Sequence, residues 1–224
     1  MGIFESTLFE KLRKSTGNVT TYVSGGQQIV RAKSSFRKDR KSKAQLRQRN
    51  RMQTLKDIWG DFRALTPEGF CTTSLKTAWN RFVQANLMRE GMERGLSETA
   101  DWLNVSIAQG PLLPPLLTAK IDGETKTITF RWQRQPDRPN CIGTDRLFGA
   151  VIDIGETDCM YWELGTREND GEMTVPLPKD FKRKRMAVYG YAKNAAGTRT
   201  SNSLGLAIWE KNSKKKQRSK AKSD

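Results

Sequence analysis

Ten lysines and arginines and one acid, Asp39, fall between Arg31 and Arg51; seven more bases and one acid follow between Lys211 and Asp224. These runs carry +9 and +6 of the formal +16, so the other 189 residues are almost neutral. Clustered guanidinium and ammonium groups hold phosphate oxygens well, arginine through a planar fork and lysine as a compact point charge. The candidates are Arg31, Lys33, Arg37, Lys38, Arg40, Lys41, Lys43, Arg47, Arg49 and Arg51 in the first run. In the second they are Lys214, Lys215, Lys216 and Arg218. A local excess this large gathers a polyanion without needing a precise fit. The bland alternative is a solvated face with Asp57 and Asp61 as internal counter-charges. Phe36 stands alone among the first run's bases, so no stacking platform accompanies them, and recognition of the RNA or DNA backbone rather than of base sequence is expected.

Other chemistries find little support. There is no histidine, which removes Ser-His and Cys-His nucleophile pairs and any Cys/His zinc site. Cys71, Cys141 and Cys159 are too few for an all-cysteine metal site, and Cys71 has no nearby base. Acids gather at Asp153, Glu156 and Asp158 and at Glu163, Glu168, Asp170 and Glu172, beside expected turns where carboxylates are usually solvated. Phosphate-binding and dinucleotide glycine loops are missing. The expectation is a protein without catalysis, cofactor or metal.

Several elements must position the bases. Asn18 to Lys33 reads as a hairpin around Gly25-Gly26, pairing Tyr22 with Ile29, Thr20 with Arg31 and Asn18 with Lys33. Val19, Val23, Val30 and Ala32 then form its apolar face. A basic linker, 34–43, leads into a helix over Ala44 to Leu65, with Met52, Leu55, Ile58, Trp59, Phe62 and Leu65 on one face. Arg49, Lys56 and Arg63 line another flank, and the first two turns are too polar to enter a core. A second helix begins with Ser74 as N-cap and turns Leu75, Ala78, Trp79, Phe82 and Ala85 inward. Leu103 to Leu117 reads as a short strand and a proline-bounded linker. Alternating segments at 127–133, 147–154, 160–164, 173–175, 186–192 and 203–209 then predict an antiparallel β-sandwich, with Trp132 and Trp162 packing it rather than stacking on a ligand.

The segments TGNVTTYVSGGQQIVRAK, QLRQR, TAWNRF and TRTSNS together resemble an uncharacterised bacterial family of small basic proteins, catalogued as a domain of unknown function. The matching positions are Gly17, Asn18, Gly26, Val30, Arg31, Lys33, Gln45, Arg49, Phe70, Trp79, Asn80, Trp132, Asp145, Pro178 and Ser203. The resemblance implies an N-terminal hairpin, a basic helical region and a sandwich of fibronectin type III character. This chain opens with IFESTLFEKLRK where the family usually has a glycine-rich segment.

The expected fold is therefore α+β: a hairpin and basic helical module at 1–96, a proline-containing linker at 97–117, an antiparallel β-sandwich at 118–210 and a disordered basic tail at 211–224. Without an uninterrupted apolar stretch the chain is expected to be cytoplasmic and off the membrane. MGIFES fits a myristoylation pattern, but Phe4, Leu8 and Leu12 read better as an amphipathic face. The expected function is phosphate-backbone binding, with the sandwich as a docking domain for protein partners. The alternative is a structural protein of a phage-like particle or large ribonucleoprotein; a carbohydrate- or surface-binding sandwich ranks third. Oligomeric state stays open.

Overall fold

The computed structural model describes residues 2–3, 14–33, 41–93, 95–96, 99–122, 125–177 and 185–210. The expected linker bases at 34–40 and the tail at 211–224 lie outside these, as does the Phe4, Leu8 and Leu12 face. The chain divides into two compact units, Met1–Ser42 and Lys43–Asp224.

Two consecutive glycines set the first unit. Gly25 and Gly26 both take positive φ, 59° and 81°, the combination that lets a two-residue primed turn follow the strands' twist. Strands β3 (Val19–Ser24) and β4 (Gln27–Ala32) pair around it in the expected register, Tyr22 opposite Ile29 and Thr20 opposite Arg31. The Lys33 amide extends the ladder by donating to the Asn18 carbonyl at 2.7 Å. Two unforeseen strands flank this pair: β1 (Gly2–Ile3) on β4 and β2 (Lys14–Thr16) on β3, giving the order β1-β4-β3-β2. Among its described residues only Thr21 is buried, while Val19 and Val23 stay 39% and 44% exposed.

The second unit has three layers. Helix α1 (Lys43–Phe62) buries Leu55, Ile58 and Phe62 at spacings of three and four, with Leu65 just beyond. α1 ends ahead of Thr66-Pro67, as expected, and a separate short α2 (Thr66–Gly69) follows the turn at 63–65; Pro67 fits its first turn, where its missing N–H has no partner to lose. Helix α3 (Leu75–Asn86) starts at Ser74, whose hydroxyl accepts from the Thr77 amide at 3.4 Å. It buries Ala78, Phe82 and Asn86, whereas Leu75, expected inside, sits in the first turn and faces solvent. Helix α4 (Thr99–Leu103) brings in Trp102. Phe62 lies at the centre of this layer, ringed by Phe82 at 5.5 Å, Tyr189 at 6.0 Å and Trp102 at 6.3 Å.

Beneath the helices lies a four-stranded antiparallel sheet, β11-β10-β7-β8: β7 (Arg146–Asp153), β8 (Asp158–Thr166), β10 (Arg185–Lys193) and β11 (Leu204–Glu210). Its central strands are buried on both faces. Phe148, Ala150, Ile152, Ala187, Tyr189 and Tyr191 point into the helical core. Leu147, Val151, Met186, Val188 and Ala192 point the other way, onto a three-stranded sheet. That sheet, β5-β6-β9, comprises β5 (Leu117–Asp122), β6 (Thr127–Trp132) and β9 (Gly171–Pro176), and brings Ile128, Phe130, Trp132 and Val175 to the shared core. Trp132 packs so closely over Gly171 that a Cβ there would lie 2.2 Å from the indole. The antiparallel sandwich is thus present, with Trp132 and Trp162 packed against its interior.

Two expected boundaries move. The helices share a core with the sandwich, so the division falls between Ser42 and Lys43 and not near 96. The segment 97–117 is no free linker. Val105, Ile107, Ala108 and Leu112 are buried, and backbone bonds tie it to 200–203: Ser203 N to Ala108 O at 3.0 Å and Leu112 N to Thr200 O at 3.1 Å. Its prolines mark an extended path, and extended backbone buries side chains as readily as it spans gaps.

Buried polar groups pin the layers. Asn86 donates to the Phe82 and Ser106 carbonyls and accepts from the Ser106 amide at 2.7 Å. Asp61 accepts from Gly155 and Thr157 at 3.0 and 3.3 Å, holding α1 to the β7–β8 turn. Arg167 is fully buried with Asp145, Nε to Oδ2 at 3.3 Å, and also donates to Gln135 Oε1 and the Leu113 carbonyl. Removing one partner of such a pair strands the other charge, so Arg167→Ala is expected to cost about 3–5 kcal/mol in chemical denaturation. Burial raises the Asp61 carboxyl above its ordinary 3.8, the Gly155 and Thr157 amides pull it back, and Asp153 and Glu156 push it up again. The native state therefore holds this proton more tightly than the unfolded chain, and the associated stability falls as pH rises from about 4 through the raised value. Urea unfolding of Asp61→Asn, which cannot titrate, should show a deficit against the parent that is larger near pH 4 than near pH 7.

Candidate nucleic-acid interface

The helical face that packs determines where the bases point. With Leu55, Ile58 and Phe62 turned inward, α1 first meets the core at about Arg51. Every residue from Lys43 to Asn50 is exposed, so its first two turns project from the packed layer as expected. Lys43, Arg47 and Arg49 stand on this projection with Gln45, Gln48 and Asn50, and no acid occurs between Arg40 and Lys56. The charge order also opposes the helix macrodipole, which favours acids at the N-terminal end and bases at the C-terminal end. Here the first turn holds no acid and the last no base. An anion against the first turns would offset that unfavourable arrangement.

The five α1 bases are not equivalent. Arg51 is only 19% exposed, pairs with Glu93 beyond α3, and donates to Met88 Sδ at 3.1 Å. Arg47 reaches the same carboxylate at 4.0 Å but keeps 69% of its side chain exposed. Glu93 is thus the local counter-charge, which the sequence did not reveal because it lies 42 residues beyond Arg51. Asp57 and Asp61 are engaged elsewhere, Asp57 with Gln53 Nε2 at 2.7 Å and Asp61 with the two turn amides. Further along, Lys56 on α1 and Arg63 just past its end are exposed on the flank that begins at Arg49.

In the first unit, Arg31 shares a sheet face with Tyr22, its guanidinium 5.7 Å from the ring centroid, and Lys33 stands at the end of the same face. Lys41 is exposed at a backbone φ of 45°. Arg37, Lys38, Arg40, Lys214, Lys215, Lys216 and Arg218 lie outside the described residues.

Several acids of the two clusters are engaged separately. Glu163 pairs with Arg146 at 3.2 Å, Glu172 with Arg131 at 3.0 Å, and Asp170 accepts from the Arg134 amide at 2.6 Å. Asp153, expected at a solvated turn, is fully buried. Among the described residues no group of three or more cysteines and carboxylates is placed to hold a metal. The cysteines are unpaired thiols. Burial pushes the Cys71 thiol up, against the opposing pull of Lys193 and a Thr200 hydrogen bond, and burial likewise raises Cys159. Among the described residues no helix is long and apolar enough to cross a membrane. No protein-family model and no curated protein matches the chain.

The different engagement of Arg47 and Arg51 is measurable in the unfolding free energy. Arg47→Ala, which removes an exposed pair, should change it by no more than about 0.5 kcal/mol. Arg51→Ala, which also loses side-chain packing, should lower it by about 1–2 kcal/mol.

Proposed function

We propose that this protein is a non-enzymatic, cytoplasmic binder of the RNA or DNA phosphate backbone, its contacts made without reading base sequence. The observation that carries this is the projecting start of α1: eight residues exposed on all sides, basic, and without an acid among them. Ala44 and Leu46 are exposed with the rest of this projection, so packing gives it no reason to extend beyond the core. Lys43 and Arg47, one turn apart, share one side and Arg49 lies on the other, offering charge to phosphate oxygens around the helix. Arg31, Lys33 and Lys41 in the first unit and the basic tail at 211–224 add charge of the same sign. We further take the sandwich as fibronectin type III-like and as a docking domain for protein partners; seven antiparallel strands divided three and four support the first part. The resemblance to the family of small basic proteins bears on the fold and not on the binding.

One observation favours the assembly reading instead. The first unit leaves Val19 and Val23 substantially exposed, as a surface that meets another subunit would. Light scattering separates the two: a stable oligomer of the nucleic-acid-free protein supports assembly.

The binding test is fluorescence anisotropy of labelled duplex DNA and structured RNA across a salt series. Engagement of about six phosphates gives a slope of about −5 in log K against log salt on duplex DNA. Changing Lys43, Arg47 and Arg49 together to Glu should abolish most of the affinity, and ending the chain at Glu210 should flatten the slope. No binding by the nuclease-treated protein at low salt would refute the proposal.

A further inference from the structure

At the far end of the α1 flank lies a shallow groove of about 560 Å³, lined by Gly60, Arg63, Ala64, Pro67, Leu75 and Thr157. We infer that it receives an unpaired nucleobase, so that the partner along this flank is single-stranded. The inference rests on the phosphate-binding reading and narrows it.

Three features argue for that occupant. The first is charge: Arg49, Lys56 and Arg63 recur every seven residues, Arg49 and Lys56 about 10 Å apart along α1 and Arg63 just past its end. Lys56 and Arg63 take part in none of the ion pairs found among the described residues, although exposed Asp57 and Asp158 stand beside Lys56 and Thr157. The second is the lining. Leu75 is 43% exposed although it belongs to a helix whose next apolar residues are packed, and Pro67 and Ala64 add flat apolar surface beside it. A base has two flat faces to place on such a lining and a polar edge to turn outward; the Arg63 guanidinium at the rim is a planar group of the kind that stacks on bases. The third is the shape of the helix. Gly60 sits inside α1, where glycine is less favourable than alanine by about 1 kcal/mol. A Cβ there would lie 3.1 Å from the Thr157 methyl, so glycine lets the β7–β8 turn approach and close one wall of the groove.

A base-paired strand keeps its bases inside the duplex and can use only the charged track. A single strand can use the track and the groove together. The full chain is therefore compared with Leu75→Asp, a substitution at an exposed position, for binding to a single-stranded oligonucleotide, its duplex, and the same single strand with abasic sites. Circular dichroism and thermal unfolding establish that the variant is folded. The expected result is that Leu75→Asp weakens single-strand binding about tenfold and leaves duplex binding within about twofold. Abasic sites should weaken binding by the parent to the same degree and have no effect on the variant. If Leu75→Asp binds all three like the parent, or if abasic sites do not weaken the parent, the groove holds no base and this inference fails while phosphate binding stands. If the parent binds none of the three at low salt, the phosphate-binding reading itself fails. Should the variant not fold, the abasic comparison on the parent decides alone.

Discussion

The second unit depends on desolvating a sheet from both sides at once. Strands β7 and β10 carry apolar side chains on alternating faces with hardly a polar residue between, and neither face is stable in water by itself. The outer sheet covers one face and the helical layer the other. Phe62, enclosed by Phe82, Trp102 and Tyr189, fits α1 to the sheet at a single point where three elements meet. Tyr189 belongs to both systems: its ring packs in the helical core while its hydroxyl donates to the Trp102 carbonyl at 2.5 Å.

Around these two cores, polar side chains fix how the layers meet. Arg167 and Asp145 gather loop backbone at one end of the sandwich, Asp61 holds α1 to the β7–β8 turn, and Asn86 holds α3 to the strap at 105–108. Apolar packing tolerates sliding; a buried donor or acceptor does not, because a displaced partner leaves it unsatisfied. The projecting turns of α1 can therefore present charge from a fixed base, since the rest of the same helix is held by packing, by Asp61 and by the Arg51–Glu93 pair.

What the sequence made legible follows from the range of each signal. The hairpin register was readable because Gly25-Gly26 and the alternation beside it are local, and α1 because its apolar period runs unbroken to Leu65. The exposed, acid-free start of α1 was likewise a local property of composition. Arg167 was not readable: it sits among acids in sequence, and its partners Leu113, Gln135 and Asp145 are brought to it only by folding. The same holds for Asn86, Asp61 and Glu93. The shared core did have a signal. LFGAVI at 147–152 and MAVYGYA at 186–192 are continuous apolar runs, the pattern of strands covered on both faces, whereas a two-layer sandwich calls for a polar outer face. β5 was missed although LTAKID alternates apolar and polar residues from Leu117, where the expected linker ends.

The double coverage of the central sheet also bears on modularity. Sandwich domains are often treated as units that can be moved between proteins, inherited alone or expressed in isolation. Here residues 118–210 lifted out of their context would uncover Phe148, Ala150, Ile152, Ala187, Tyr189 and Tyr191 as one contiguous apolar sheet face. Such a face promotes self-association. Helices and sandwich are thus bound to descend together, and a recombination point falls more naturally before Lys43 than anywhere between the helices and the strands they cover.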